Sequence, residues 1–185
     1  GGTRAIPQKA LYLICRNDEY GYSSLSYQLF PDETPTMYKR WLLRSSGNDW
    51  YGPDANGVST MLKDAVFHRI VRNLDIGVEA YRPVNVYLNG EYWGIHNLRE
   101  SFDKHYLNTR YGLDADNMDI LMHEESSSDA DKVKITRIDG DKGCDEDYEA
   151  FLQAVKTNSP ATATGWAYIQ SQIAVTNHAD YIIAE

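Results

Sequence analysis

Cysteine is nearly absent from this 185-residue chain: Cys15 and Cys144 are too few for a disulfide scaffold, and no Cys-x-x-Cys occurs. The five histidines form no His-Glu-x-x-His and no close pair at metal-ligand spacing, so no zinc site is expected. Positive charge is also short. Eighteen Lys and Arg stand against 27 Asp and Glu, a formal net charge of −9. A binder of nucleic-acid backbones should be basic, so nucleic acid is not an expected partner. No apolar run approaches the ~20 residues that span a bilayer, and no transmembrane segment is expected. The patterns G-x-G-x-x-G and G-x-x-x-x-G-K-[S/T] are missing, which excludes a Rossmann turn and a P-loop. The G-x-S-x-G nucleophile elbow is missing too, so nothing favours a Ser/His/Asp triad.

What is present is aromatic. Fourteen Tyr and four Trp, within 42% hydrophobic and 24% charged residues, describe a folded globular chain. A chain of this length forms one domain, or part of one, and buries roughly 70% of the surface its unfolded form exposes. Residues 9–16 alternate as a strand with Leu11, Leu13 and Cys15 on one side, where Cys15 reads as a small buried thiol. Residues 25–30 and 38–45 are further strands, separated by a turn between Pro31 and Pro35. A helix capped by Ser59 or Thr60 runs to about Leu74. Its apolar positions Met61, Leu62, Ala65, Val66, Ile70, Val71 and Leu74 predict one buried stripe. Later elements are a short helix over 103–111 closed by Gly112, a strand over 118–123, an extended piece over 133–138, and helices over 145–156, 164–174 and 178–185. Strands come first and helices last, which predicts an α+β domain with a β-rich lobe leading into a helical one.

The segment from Pro83 to Glu100 reads as a β-hairpin. Val84, Val86 and Leu88 alternate, Asn89-Gly90 suits a two-residue type I′ turn, and an aromatic return strand follows. Pro83 is expected at the first strand position, where a missing N–H costs least. The wording Tyr87-Leu-Asn-Gly-Glu-Tyr-Trp-Gly94, followed by Leu98-Arg-Glu100, resembles the hairpin of the CotH family, the spore-coat-protein-H-like atypical protein kinases. Gly1-Gly-Thr-Arg-Ala-Ile-Pro-Gln-Lys-Ala-Leu-Tyr-Leu13 resembles the family's opening segment. Leu43-Arg-Ser-Ser-Gly-Asn-Asp-Trp50 resembles its strand-end motif. Asn177-His-Ala-Asp-Tyr-Ile-Ile-Ala-Glu185 resembles the helix before its catalytic segment. The blocks occur in family order along the whole chain.

The resemblance implies an atypical protein-kinase-like fold, with a β-rich lobe and one long helix over about 1–100 and the start of a helical lobe over about 101–185. It implies transfer of phosphate from ATP, with Mg²⁺, to Ser or Thr of a partner protein, and an extracellular or cell-surface setting. A kinase lobe needs a cation on the nucleotide phosphates and an acid that positions that cation. Lys9 matches the family's lysine and Arg4 its arginine. Asp64, which follows Lys63 where the family carries an Arg/Asn-type or Arg/Asp-type pair, and Glu100 are the alternative acids. His96 stands where many relatives carry an aromatic near the nucleotide base. From the residues alone, Lys9 reads as a solvent-facing strand lysine, and Lys39, Arg40 and Arg44 as a solvated strand face. Asn48-Asp49-Trp50 reads as a turn with an aromatic plug.

The acidic stretch 139–147 has its glycines at the wrong positions for an EF-hand and reads as a solvated loop capping the next helix. The chain opens on Gly-Gly and its last helix runs apolar and uncapped to Glu185, so it is read as a piece of a longer protein. The catalytic and metal-binding aspartates, in segments resembling Asn-x-Asp and Trp-Asp-x-Asp, are expected downstream of Glu185, and the piece alone is expected to be inactive. The competing reading is a non-catalytic binding or assembly module on the same scaffold.

Overall fold

The structure is a computed structural model and describes residues 6–17, 21–50, 59–125 and 133–185. Arg4 lies outside them. The chain divides into two compact units, Gly1–Tyr111 and Gly112–Glu185. Both mix antiparallel sheet and helix, so the fold is α+β.

In the first unit, β1 (Leu11–Ile14), β4 (Arg40–Arg44), β5 (Tyr81–Leu88) and β6 (Glu91–Arg99) form an antiparallel sheet in the order β1-β4-β6-β5. A separate pair joins β2 (Leu25–Ser26) to β3 (Met37–Tyr38). Leu11 faces Leu43, and Leu43 faces Leu98, so an apolar row crosses three strands. Leu98 joins Leu29, Phe30, Tyr38 and Ala80 in the core, with Trp41, Leu43 and Val84 packed against it. Three expected strands are shorter than their apolar alternation. Leu29 and Phe30, for example, leave the β2–β3 ladder to enter the core instead of pairing.

The expected hairpin is β5–β6. Asn89 (φ 52°) and Gly90 (φ 86°) both take the left-handed conformation that a type I′ turn requires. Pro83 is the third residue of β5 rather than the first. It is tolerated because β5 is an edge strand, with one side free of ladder bonds. Val86 faces Gly94 while Tyr87 faces Tyr92, so a bulge sits at Trp93.

Helix α1 (Lys63–Val71) begins later than expected and its cap comes from elsewhere. Asp49, at the end of a 3-10 turn over Gly47–Asp49, accepts from the backbone N–H groups of Thr60 (2.8 Å) and Lys63 (3.0 Å) and from the Thr60 hydroxyl. The expected buried stripe is also corrected. Ala65 and Val71 are buried, but Leu62, Val66 and Ile70 are 44%, 50% and 72% exposed. The face carrying Asp64, Ala65, His68 and Val71 turns inward instead, because Asp64 and His68 meet charged and polar partners on the sheet side. Helix α2 (Lys104–Tyr111) is capped by Asp103, whose Oδ1 accepts from the N–H groups of His105 and Tyr106, and ends at Gly112 with φ 67°.

The second unit pairs β7 (Ile120–Glu125) with β8 (Val133–Asp139), the expected extended piece. Helices α3 (Cys144–Thr157), α4 (Ala163–Gln172) and α5 (Val175–Ala184) follow, within two or three residues of the expected spans. Thr162 caps α4 by accepting from the Gly165 N–H. The acids of the 139–147 stretch include Asp145, Glu146 and Asp147 in the first turn of α3, where the helix dipole favours negative charge. Cys15 is half-buried and Cys144 buried, and both are free thiols.

Candidate functional site

A charged cluster joins α1 to the sheet. Asp64 Oδ2 lies 2.7 Å from Arg44 Nη1 and 2.7 Å from Arg99 Nη1. Arg99 is fully buried, and its Nε donates to Glu79 Oε2 at 3.1 Å. Its two terminal nitrogens make close ionic contacts that miss ideal hydrogen-bond angles. Burial pushes the Glu79 carboxyl up against the pull of Arg99. His68 accepts at Nδ1 from the Glu79 N–H, which puts the ring proton of the neutral form on Nε2, 3.8 Å from Asp64. Burial, with Arg99 and Arg44 nearby, lowers the His68 pKa.

Glu100 anchors a second cluster. It is buried, accepts from the Ala80 N–H at 2.9 Å, and takes Arg110 on both carboxylate oxygens. Arg110 also reaches Glu33. Burial opposes the Arg110 charge, yet the two carboxylates prevail and raise its pKa. Burial and the Glu100 charge push Tyr38 up to about 12. Glu100 thus ties α2 to the start of β5 and to the Phe30–Glu33 turn.

The two candidate acids therefore stand in different clusters, and among the described residues the ion-pair cations of both are arginines rather than Lys9. Lys9 is exposed, and its ammonium donates to the carbonyl of Ile6 at 2.7 Å. His96 is wholly buried. Its Nε2 donates to the Lys9 carbonyl and its Nδ1 accepts from Gln8, which also bonds Ile95 and Trp50. His96 is thus a tie between β6 and the chain before β1. Asp49 ends the expected turn and additionally starts α1, and half-buried Trp50 donates at Nε1 to Gln8.

The chemistry of the donor set distinguishes the two groups that a kinase would bind. Among the described residues no group of three or more His, Cys, Asp or Glu is placed to hold a metal ion. A phosphate fits better. Arg44 has five N–H donors, and among the described residues only Nη1 has a partner. A cavity of about 330 Å³ opens between α1 and the 78–81 segment, lined by apolar side chains such as Phe30 and Val66 and by both Arg69 and Arg72 and the acids Asp32, Glu33 and Glu79; Arg44 does not line it.

Sequence reasoning missed Arg44, Glu79, Arg99 and Arg110. The available signal was Arg99-Glu100, a charged pair at the end of β6 directly after the apolar Leu98. Each of the four meets its partners across 10 to 77 residues of sequence, which no local pattern encodes.

A family model described as CotH kinase protein matches residues 1–185. No curated protein and no solved structure matches the chain. No helix among the described residues is long and apolar enough to cross a membrane.

Proposed function

This chain belongs to the CotH kinase family, and from that premise we propose that it forms the nucleotide-holding part of a domain that transfers the γ-phosphoryl of ATP to Ser or Thr of a partner protein. Phosphoryl transfer asks the protein chiefly for positioning and charge stabilisation. Beyond the family match, the observation that supports this reading is an acid of α1, Asp64, held against arginines of the sheet. Cation–acid coupling between a sheet and a helix is the arrangement that orders nucleotide phosphates in kinases. Lys9 and Arg4 are the phosphate contacts that go with the family resemblance. No described residue is assigned as base or metal ligand. Those roles belong to the aspartates of the Asn-x-Asp and Trp-Asp-x-Asp type.

The test is transfer of labelled phosphate from ATP, with Mg²⁺ and several protein acceptors, by this chain and by a longer protein containing it. Label on the acceptor with the longer protein, abolished by Lys9→Ala without unfolding, is the expected result. Full activity of Lys9→Ala would remove Lys9 from the mechanism. No transfer by either folded protein would favour the second reading, a non-catalytic binding or assembly module. The exposed apolar residues Val66, Phe67 and Ile70 on α1 favour that alternative. An extracellular or cell-surface setting goes with both readings, and protease accessibility on intact cells tests it.

A further inference from the structure

The pairing of Asp64 singles out a cation that the sequence left on a solvated strand face. We propose that Arg44 is the cation coupled to the helix, that it joins Lys9 in contacting the nucleotide phosphates, and that Asp64 positions it. The inference rests on the nucleotide-binding reading above and deepens it.

Three observations carry it. The first is topological. Arg44 ends β4, an inner strand of the β1-β4-β6-β5 sheet, and β4 is the strand that leads into α1. In protein kinases the phosphate-holding lysine stands on a sheet strand and pairs with a glutamate of a helix. Here the strand cation and helix acid that meet are Arg44 and Asp64, 2.7 Å apart.

The second is preorganisation. The end of β4 and the start of α1 are welded together from several directions. Asp49 holds the first turn of α1, and Asn97 Nδ2 donates to both Ser46 Oγ and the Met61 carbonyl, each at 2.9 Å. On the far side of Asp64, fully buried Arg99 contacts the same carboxylate oxygen at 2.7 Å. Asp64 is therefore fixed before any ligand arrives, and Arg44 with it.

The third is accessibility. The Arg44 and Asp64 side chains are 35% and 38% exposed, whereas Arg99 is 0% exposed. Arg99 is spent on Glu79 and Asp64, while among the described residues Arg44 keeps N–H donors for an anion. A guanidinium can take a phosphate through two parallel bonds, which an ammonium cannot. Lys9, by contrast, donates to a carbonyl three residues away and has neither candidate acid as its ion-pair partner.

The test is isothermal titration of a longer protein containing this chain with ATP and with adenosine, each to millimolar concentration in the presence of Mg²⁺. For wild type, ATP should bind more tightly than adenosine. Arg44→Gln should weaken ATP binding at least tenfold, leave adenosine binding unchanged, and leave the far-ultraviolet circular dichroism unchanged. Arg44→Lys, which keeps the charge, should restore part of the loss and serves if Arg44→Gln folds poorly. Equal ATP affinity in wild type and both variants would overturn the assignment of Arg44 while sparing the nucleotide reading. A wild-type protein that binds neither ligand would overturn the nucleotide reading, and this inference with it. Equal losses for ATP and adenosine would show that Arg44 merely shapes the fold.

Discussion

Each of the two units of this chain is held by its own kind of internal contact. In the first, side chains far apart in sequence are paired in places water does not reach. Ser45, Ser46, Asp49, His96, Asn97, Arg99 and Glu100 are all buried, and every buried polar or charged side chain among the described residues lies in this unit. In the second, side-chain bonds are mostly local. Thr162 caps its own helix at Gly165, Thr157 bonds back to Gln153 and Ala154, and Asn158 to Ala154. Aromatic rings supply much of the remaining contact there, with Phe151 of α3 and Tyr168 of α4 6.4 Å apart between centroids. The difference shows where specificity is stored. A buried ion network adds little net stability but is costly to break, so it holds one arrangement firmly. Locally bonded helices tolerate change because each bond is replaceable by water.

The sharpest way to break this contrast is Arg99→Ala. It leaves Glu79 in a buried setting without its aligned donor and strips Asp64 of one of its two arginines. A loss of about 3–5 kcal/mol is expected, read as a lowered denaturant midpoint. Replacing both partners, Arg99→Met with Glu79→Leu, should recover part of the loss, because no uncompensated charge then remains at Glu79. A loss below about 1 kcal/mol for Arg99→Ala would show that the network contributes no rigidity.

A smaller effect with a pH signature is expected at Asp49. Burial disfavours its charge, but the backbone N–H groups of Lys63 and Thr60, the Thr60 hydroxyl and the Lys63 ammonium outweigh it and lower the pKa from 3.8 to about 2. A carboxylate with a depressed folded pKa stabilises the fold fully above its unfolded value. That contribution is lost as pH falls through the folded value, here between about 4 and about 2. Asp49→Asn should lower stability at neutral pH by about 1–2 kcal/mol and lack this component of the acid limb. Acid titration of both proteins by circular dichroism measures the difference, and superimposable acid limbs would remove the cap from the account.

The smallest effect is expected in the second unit. Thr162→Ala should cost about 1 kcal/mol or less and loosen only the start of α4. Hydrogen exchange at the Gly165 and Trp166 amides would show it. Global unfolding comparable to that of Arg99→Ala would erase the distinction between the two units.

The same division explains what the sequence could disclose. The Asn89-Gly90 hairpin, the Gly112 stop and the three closing helices were legible because turn chemistry and helical spacing act within a few residues. The Asp49 cap was not, since its donors lie 11 and 14 residues onward. The apolar spacing of α1 misled for a related reason. Val66 and Ile70 repeat at helical intervals, but Arg99 draws the Asp64 and His68 face inward, and ion pairing decided the rotation of the helix. The family resemblance pointed to Asp64 and Glu100 as alternatives for one role. The structure gives each a separate arginine partnership.

By itself, then, the amino-acid sequence determined the α+β class, the hairpin, most helix positions and the CotH family, because all of these are written in periodicities and short motifs. Only the tertiary structure decided which cation meets which acid. A charge finds its partner by proximity across the folded sheet, and neither composition nor spacing carries that distance. It is the packing of α1 on β4 and β6 that gives Asp64 to Arg44 and Arg99, and that of α2 on the core that gives Glu100 to Arg110.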